Sequence, residues 1–377
     1  MRICILGATG LVGHELLDLI PRAWPAAELV LFASRARRVE IGGHHYDVRS
    51  ADELEAEGAP SGDLAFVALD DAYSARYVPR LLELGYRVVD KSNTFRMDPA
   101  VPLVVAGVND ALVDEPTRLV ANPNCTTIPL MLAVAPLLRR FGIESLLVSS
   151  YQAISGAGAA TLDAFLAGAR QSYAEADRLG SELDVAGYIG NTVPHNGGTD
   201  ESGFSKEERK LMAESAKILA RPGLPLVAQC CRVPVAVGHY EQIWVTLGAA
   251  AEGLGAGALE AFYSAAAEGA TAPFIKVVPG AAGEGMSALA CVHDRDRALV
   301  GRIRSDPRPS ARRSFCMTVA ADNLRLGAAT NAVRIASRWF PSEDPALQAP
   351  GAPSSGAEAY EEEKEKKEKK EEKEGGR

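Results

Sequence analysis

The feature that most constrains this chain lies at its start. RICIL, a short apolar run with the character of a buried strand, passes through GATGLVG straight into HELLDLIPRA, which has helical periodicity. Gly7, Gly10 and Gly13 therefore give the spacing GxxGxxG inside a strand, a glycine turn and a helix. Glycines there permit a tight turn, close approach of backbone to a pyrophosphate and close helix packing, while the free N–H groups of the helix start bind an anion. A plain strand-to-helix turn can carry the same glycines, so the continuation of the chain decides. ELVLFAS, DLAFVAL and YRVVDKS alternate with helix-like segments, which implies a parallel sheet with crossover helices. The fold class is α/β, opening with a Rossmann-type dinucleotide-binding domain.

At 377 residues the chain exceeds the roughly 250–300 residues at which single cores stop growing, so two domains are expected. From SLLVSSYQAI onward the texture changes to longer strand-like segments, LPLVAQCCRVPVAV and HYEQIWVTLGA, interleaved with helices such as KEERKLMAESAKILA. This predicts a second, α+β domain. DNLRLGAATNAVRIASRWF reads as a loop entering an amphipathic helix that returns to the first domain. The expected division is 1–123 for the dinucleotide domain, completed by a helix over 323–340, with 124–322 for the second domain. Beyond Pro341 the chain turns Pro/Ala/Gly/Ser-rich and then EEEKEKKEKKEEKE, with no apolar stripe, so 341–377 is expected to be a disordered charged tail.

Composition narrows the function. A net charge of -9 gives no electrostatic reason to expect nucleic acid or an anionic membrane as partner. The N-terminal apolar run is too short for a signal peptide, and no stretch offers about 18 uninterrupted apolar residues. A cytoplasmic location is expected. Six cysteines, Cys4, Cys125, Cys230, Cys231, Cys291 and Cys316, form no CxxC or Cys/His pattern of metal spacing, so reduced thiols and no metal site are expected. At the end of the second strand, where NAD enzymes usually place an acidic residue for the ribose hydroxyl, this chain has Ser34, Arg35, Arg37 and Arg38. These residues suit a 2'-phosphate and favour NADP; a solvated basic loop is the alternative.

With that loop, NPNCTTIPL at 122–130 and SYQAISGAG at 150–158 closely resemble the signature of the aspartate-semialdehyde dehydrogenase family. DKSNTFRMDPAVPLVV, GFSKEERKLMAESAKIL, CRVPVAVGH, VGRIRSD and DNLRLGAATNAVRIA continue the resemblance in order, over residues 1–340. It departs at ALDD (68–71), where the family tends to have small residues, at Tyr240 after the Gly-His pair, and at QC in place of TC before the RVPV run. The resemblance implies a second domain that is catalytic and dimerising, and an assembly that is a homodimer or homotetramer. It also implies an NADP-dependent, phosphorylating dehydrogenase that reduces L-aspartyl 4-phosphate to the semialdehyde through an acyl-thioester, ahead of lysine, methionine and threonine. The sister activity on N-acetylglutamyl phosphate and a catalytically silent binding paralogue are the rivals.

Cys125 follows Asn-Pro-Asn, a turn-forming tripeptide, and precedes a helix start, where partial positive charge favours thiolate. By resemblance it is the nucleophile. A thiolate adding to an aldehyde makes a thiohemiacetal whose hydroxyl must lose its proton before hydride leaves, so a general base is expected, and His239 resembles it. His14, His44 and His45 read as surface residues and His195 as structural. The resemblance implies that Gln152 positions the bound carbonyl carbon and that Arg232 holds the substrate carboxylate bidentately. Glu214 and Lys217 share a helix face and, on their own, read as a surface ion pair. By resemblance Lys217 and Arg96 are phosphate ligands, and Glu214 contacts the substrate amino group or orients the lysine. Cofactor contacts are implied for Gly7, Thr9, Gly10, Leu11, Val12, Gly13, Ser34, Arg35, Ser155, Gly156 and Asn323.

Overall fold

Local sequence sets the two sheets seen in the computed structural model, which describes residues 1–174, 187–194, 198–268 and 274–350. The first sheet has strand order β3-β4-β2-β1-β5-β6-β7. Its strands are β1 (Arg2–Leu6), β2 (Glu28–Ala33), β3 (Arg37–Ile41), β4 (His44–Ser50), β5 (Leu64–Val67), β6 (Arg87–Asp90) and β7 (Leu119–Ala121). All neighbours pair in parallel except β3 and β4, an antiparallel hairpin turned by Gly42 and Gly43. The central strand is apolar and buried from Ile3 to Leu6 because both of its faces are covered. Ile3 and Ile5 pack with Leu16 and Ile20 of α1 (Leu11–Ala23), whereas Cys4 and Leu6 pack with Tyr77 and Leu81 of α2 (Asp71–Glu83).

The second sheet has order β12-β13-β14-β11-β8-β10-β9 and is mixed. It comprises β8 (Ile143–Gln152), β9 (Val193–Pro194), β10 (Leu226–Arg232), β11 (His239–Leu247), β12 (Ile275–Val278), β13 (Ala298–Ser305) and β14 (Ser314–Ala321). The second core joins inward residues of these strands to α3 (Thr127–Phe141), α5 (Lys206–Ile218) and α6 (Ala256–Glu268). The opposite face carries the alternate residues, among them the exposed Leu147, Val227 and Trp244 of the neighbouring strands β8, β10 and β11. The CRVPVAV run is strand only to Arg232 and then leaves the sheet. Helix α4 (Ala159–Ala174) follows the active-site edge of β8, and α5 starts where a reciprocal capping box between Ser205 and Glu208 satisfies its first N–H groups.

The return segment differs from a single amphipathic helix. Arg325–Thr330 forms a wide π-type turn that runs into α7 (Asn331–Ala336), and every residue from Arg325 to Ala336 is buried, because the segment is sandwiched between the two sheets' layers. Arg325 is only 4% exposed and forms ion pairs with Glu15 and Asp18 of α1 and with Asp296. The boundary expected at Pro341 is also corrected. Residues 341–350 dock on the first domain: Leu347 and Ala349 are buried, Arg22 pairs with Asp344, and Arg334 donates to the Ala346 carbonyl. Hydrogen bonding of its backbone holds this Pro/Ala-rich segment where side-chain periodicity gave no signal. The charged run beyond residue 350, and His195, lie outside the described residues.

Candidate active site

The glycine spacing is explained atom by atom. A Cβ on Gly13 would sit 2.3 Å from the Gly7 carbonyl oxygen, and one on Gly7, whose φ is +99°, would sit 2.6 Å from the Ala68 oxygen. Gly7 and Gly13 thus pack the loop against its neighbours. Gly10, Leu11 and Val12 face a cavity of about 540 Å³ that opens between the two sheets. Gly10 precedes the first residue of α1 and has no side chain to bond the helix's first N–H groups, which leaves them for an anion. Thr9 accepts a hydrogen bond from Arg37, which reaches back from the start of β3, and Ser34 and Arg35 are exposed beside it. This loop fits the pyrophosphate of a dinucleotide. The ALDD segment serves the fold: Ala68 lines the cavity, Asp70 caps α2, and Asp71 accepts the Asn93 N–H.

Cys125 lies on the far wall of the same cavity, in the loop between β7 and α3. Asn124 shapes that loop. Its Oδ1 accepts from the Thr126 N–H (2.8 Å), its own N–H bonds Glu214 Oε2 (2.7 Å), and its Nδ2 donates to Glu207 Oε1 (2.8 Å). A Cβ on Gly327 would lie 3.0 Å from both Cβ and the carbonyl oxygen of Cys125, so the π-type turn backs this cysteine closely. Burial pushes the Cys125 thiol up to about 11, helped by Glu207, while Arg232, Lys91 and Arg96 pull it back. Desolvation of the sulfur thus opposes the thiolate that the helix start and the nearby cations favour.

His239, the first residue of β11, is 1% exposed and places Nε2 3.2 Å from Cys125 Sγ. Its Nδ1 accepts the Ala153 N–H at 3.1 Å. A nitrogen that accepts a hydrogen bond carries no proton, so the neutral ring holds its proton on Nε2, facing sulfur. Gln152, Arg232, Ser155, Gly156 and Asn323 line the cavity around this pair. Arg232 stands beside Gln152 in the β10–β8 register and donates to the Ala153 carbonyl at 2.6 Å. Gly156 must lack a side chain, since a Cβ there would lie 2.9 Å from Arg232 Nη1 and 3.3 Å from the His239 ring. Asn323 ties the cofactor side to the catalytic side by bonding the Ser155 hydroxyl and the Gly238 N–H.

Arg96 also lines the cavity, but it is largely committed. It donates to the Asn122 carbonyl, Asn93, Glu214 and the Lys91 carbonyl, which leaves one of its five N–H groups for a ligand. Glu214 and Lys217 are not among the cavity's lining residues. Glu214 spends its two oxygens on Arg96 and Asn124, and Lys217 donates to the carbonyls of Arg96, Asp98 and Val101 at 2.6, 2.7 and 2.9 Å. Their places in the cavity are taken by Glu207 and Lys210, which repeat the same spacing seven residues earlier on α5. Seven residues are two helical turns, so both pairs lie on one face and a face argument cannot separate them. Lys91 and Asn93, both within the DKSNTFRMD segment, are further lining residues. Among the described residues no cluster of His, Cys, Asp and Glu could hold a metal, and no helix is long and apolar enough to cross a membrane.

Comparisons with known proteins agree with this geometry. Residues 2–115 match the semialdehyde dehydrogenase NAD binding domain family, and residues 134–326 match the semialdehyde dehydrogenase dimerisation domain family. An aspartate-semialdehyde dehydrogenase of Aquifex aeolicus is 34% identical over 343 residues, spanning 89% of this chain and 96% of that protein. One from Corynebacterium glutamicum is 34% identical over 360 residues, spanning 89% and 98%. The crystal structure of aspartate semialdehyde dehydrogenase II from Vibrio cholerae is similar with a TM-score of 0.77 and 31% identity, covering 89% of this chain and 97% of that one. A structure of that enzyme complexed with ASA gives 0.76 and 30%, with the same coverage.

Proposed function

Because the chain belongs to the aspartate-semialdehyde dehydrogenase family, we propose that it reduces L-aspartyl 4-phosphate to L-aspartate 4-semialdehyde, with NADPH as reductant and release of phosphate. The observation that carries the reading is the Cys125 Sγ to His239 Nε2 contact of 3.2 Å in a cavity shared with the glycine loop. The Cys125 thiolate attacks the acyl carbon, phosphate departs and a thioester forms. When bound on the glycine loop, the reduced nicotinamide supplies the hydride that brings the thioester to the aldehyde level. Nε2–H of His239 donates to the oxyanion that develops beside it and to the sulfur as it leaves as thiolate. In the reverse direction the thiolate adds to the aldehyde and gives the oxyanion directly, so the ring stabilises charge and need not take a proton. That replaces the general-base role expected from the sequence.

Arg232 offers its fork to the substrate carboxylate. Lys210, with the remaining N–H of Arg96, holds the phosphate, and Glu207 faces the substrate ammonium. This carboxylate in the cavity favours a free amino group over an N-acetylated one. Arg35 and Arg37 hold the 2'-phosphate of NADP. The bare face with Leu147, Val227 and Trp244 pairs with a second copy in a homodimer. Phosphate-dependent formation of NADPH from the semialdehyde tests the whole reading. Cys125→Ser should abolish it while leaving NADP binding within about threefold of wild type, since an alcohol is hardly ionised near pH 8. Retention of more than a few per cent of the rate would remove Cys125 as nucleophile.

A further inference from the structure

We propose that Lys91 is a charge-positioning residue that stabilises the thiolate form of Cys125 and so raises the reactivity of its sulfur. The proposal rests on Cys125 being the nucleophile, but not on the identity of the substrate. Lys91 is the first residue past β6, and Cys125 lies in the loop that leaves the adjacent strand β7. Asp90 pairs with Ala121 in register, and the Asn122 N–H bonds the Asp90 carbonyl at 2.7 Å. Both segments therefore leave the sheet at the same carboxyl edge, where ligand sites of open α/β sheets form, and both line the cavity. The Lys91 main chain is fixed on each side. Its N–H bonds the Val67 carbonyl and its own carbonyl accepts Arg96 Nη2 at 2.6 Å.

Its ammonium, by contrast, makes no hydrogen bond or ion pair with a protein group among the described residues, although it is half-buried. The other cations about the sulfur are engaged: Arg96 with four protein acceptors, Arg232 with the Ala153 carbonyl, and Lys210 with Glu207 at 3.7 Å. The groups that face Lys91 are Arg96, which opposes its charge, and Cys125 and Asp90, which favour it. Asp90 is itself turned to Ser74 and Ser92, each at 2.7 Å. Facing Cys125 are Glu207, Arg232, Arg96, Lys91 and the His239 ring. Desolvation pushes the Lys91 ammonium down to about 8 and the thiol up to about 11. Each group is penalised for being charged alone, and each relieves the other when both are charged. The sign is fixed by the cation: its help to the thiolate is present below about pH 8 and fades as pH rises through that value.

The test follows carbamidomethylation of Cys125 by iodoacetamide in the ligand-free protein, read by mass on the Cys125 peptide, so that no turnover is needed. Lys91→Met and Lys91→Gln remove the charge, one with an apolar and one with a polar replacement, so that a half-buried site can accept at least one. Either should slow alkylation at pH 7 about tenfold, the equivalent of one unit in thiol pKa, while Lys91→Arg stays within about threefold of wild type. The wild-type protein gives a check that needs no variant. Log rate should rise with unit slope to about pH 8 and flatten above it as the ammonium deprotonates. Wild-type alkylation rates in the neutral variants, or a unit slope continuing to pH 9.5 in the wild type, would overturn the proposal. If instead alkylation follows it but the semialdehyde is not turned over, the substrate assignment fails and this one stands.

Discussion

Two lysines on one face of α5 offer a direct test of the phosphate subsite, because the proposed function gives them opposite duties. Lys217 is held by three carbonyl groups of the 96–101 loop at 2.6 to 2.9 Å. Replacing it by Ala strips those carbonyls of a charged donor, a loss on the order of 1.5 to 3 kcal/mol that falls on stability. Lys210 has its side chain 35% exposed and pairs with Glu207 at 3.7 Å. At 3.7 Å, with the lysine end open to water, this pair is worth about 0 to 1 kcal/mol, so removing the lysine costs the fold little. What Lys210→Ala removes is a charge-assisted contact to phosphate, again about 1.5 to 3 kcal/mol, or roughly ten- to a hundredfold in the apparent KM for phosphate. The assay is NADPH formation from the semialdehyde at varied phosphate, run beside thermal unfolding. The expected pattern is a raised phosphate KM with an unchanged Tm for Lys210→Ala, and a lowered Tm with phosphate KM within about twofold for Lys217→Ala. The converse pattern would return the phosphate to Lys217 and refute the reasoning from cavity lining.

Two further outcomes follow from the site. His239→Gln retains an N–H donor and should keep at least about tenfold more activity than His239→Ala; equal losses would show that the ring works as a base and not as a hydrogen-bond donor. Arg35→Ala and Arg37→Ala should each weaken NADP, measured by fluorescence titration, much more than NAD, since only NADP carries the extra phosphate; parallel losses for both cofactors would make these arginines structural.

What was legible in the sequence was whatever depends on short-range pattern. The glycine spacing, the strand-helix alternation and the turn before Cys125 each express a local backbone demand, and each has its counterpart in the structure at Gly7 and Gly13, in the first sheet, and at Asn124. What local pattern could not reach has physical causes too. A shift of seven residues preserves a helix face, so Glu214 and Lys217 were indistinguishable by periodicity from Glu207 and Lys210; what separates them is the ion pair of Glu214 with Arg96 and the bonds of Lys217 to the carbonyls of Arg96, Asp98 and Val101. Lys91 lies in the DKSNTFRMD segment, but nothing local marks the lysine itself, because its place beside Cys125 comes from emerging next to a neighbouring strand's loop, a long-range fact of sheet order. The ordered end at 341–350 is held by backbone bonds to Arg334 and Ser337, which composition does not encode.

The position of the return segment bears on how rigid this site can be. Asn323 joins Ser155 to the turn before His239, Gly327 backs Cys125, and Arg325 is pinned to α1 through Glu15 and Asp18 and to the second domain through Asp296. One stretch of five residues therefore contacts the catalytic loop, the histidine's strand and the helix that follows the glycine turn. Hydride transfer demands that reacting atoms approach to about 3–3.5 Å, and small misplacement between the cofactor and the thioester would forfeit rate. A hinge between two independently moving domains would make that distance a variable. Threading the chain back between them, with a nearly fully buried arginine bonded to carboxylates on both sides, fixes it at the cost of desolvating that charge, which the three carboxylates offset.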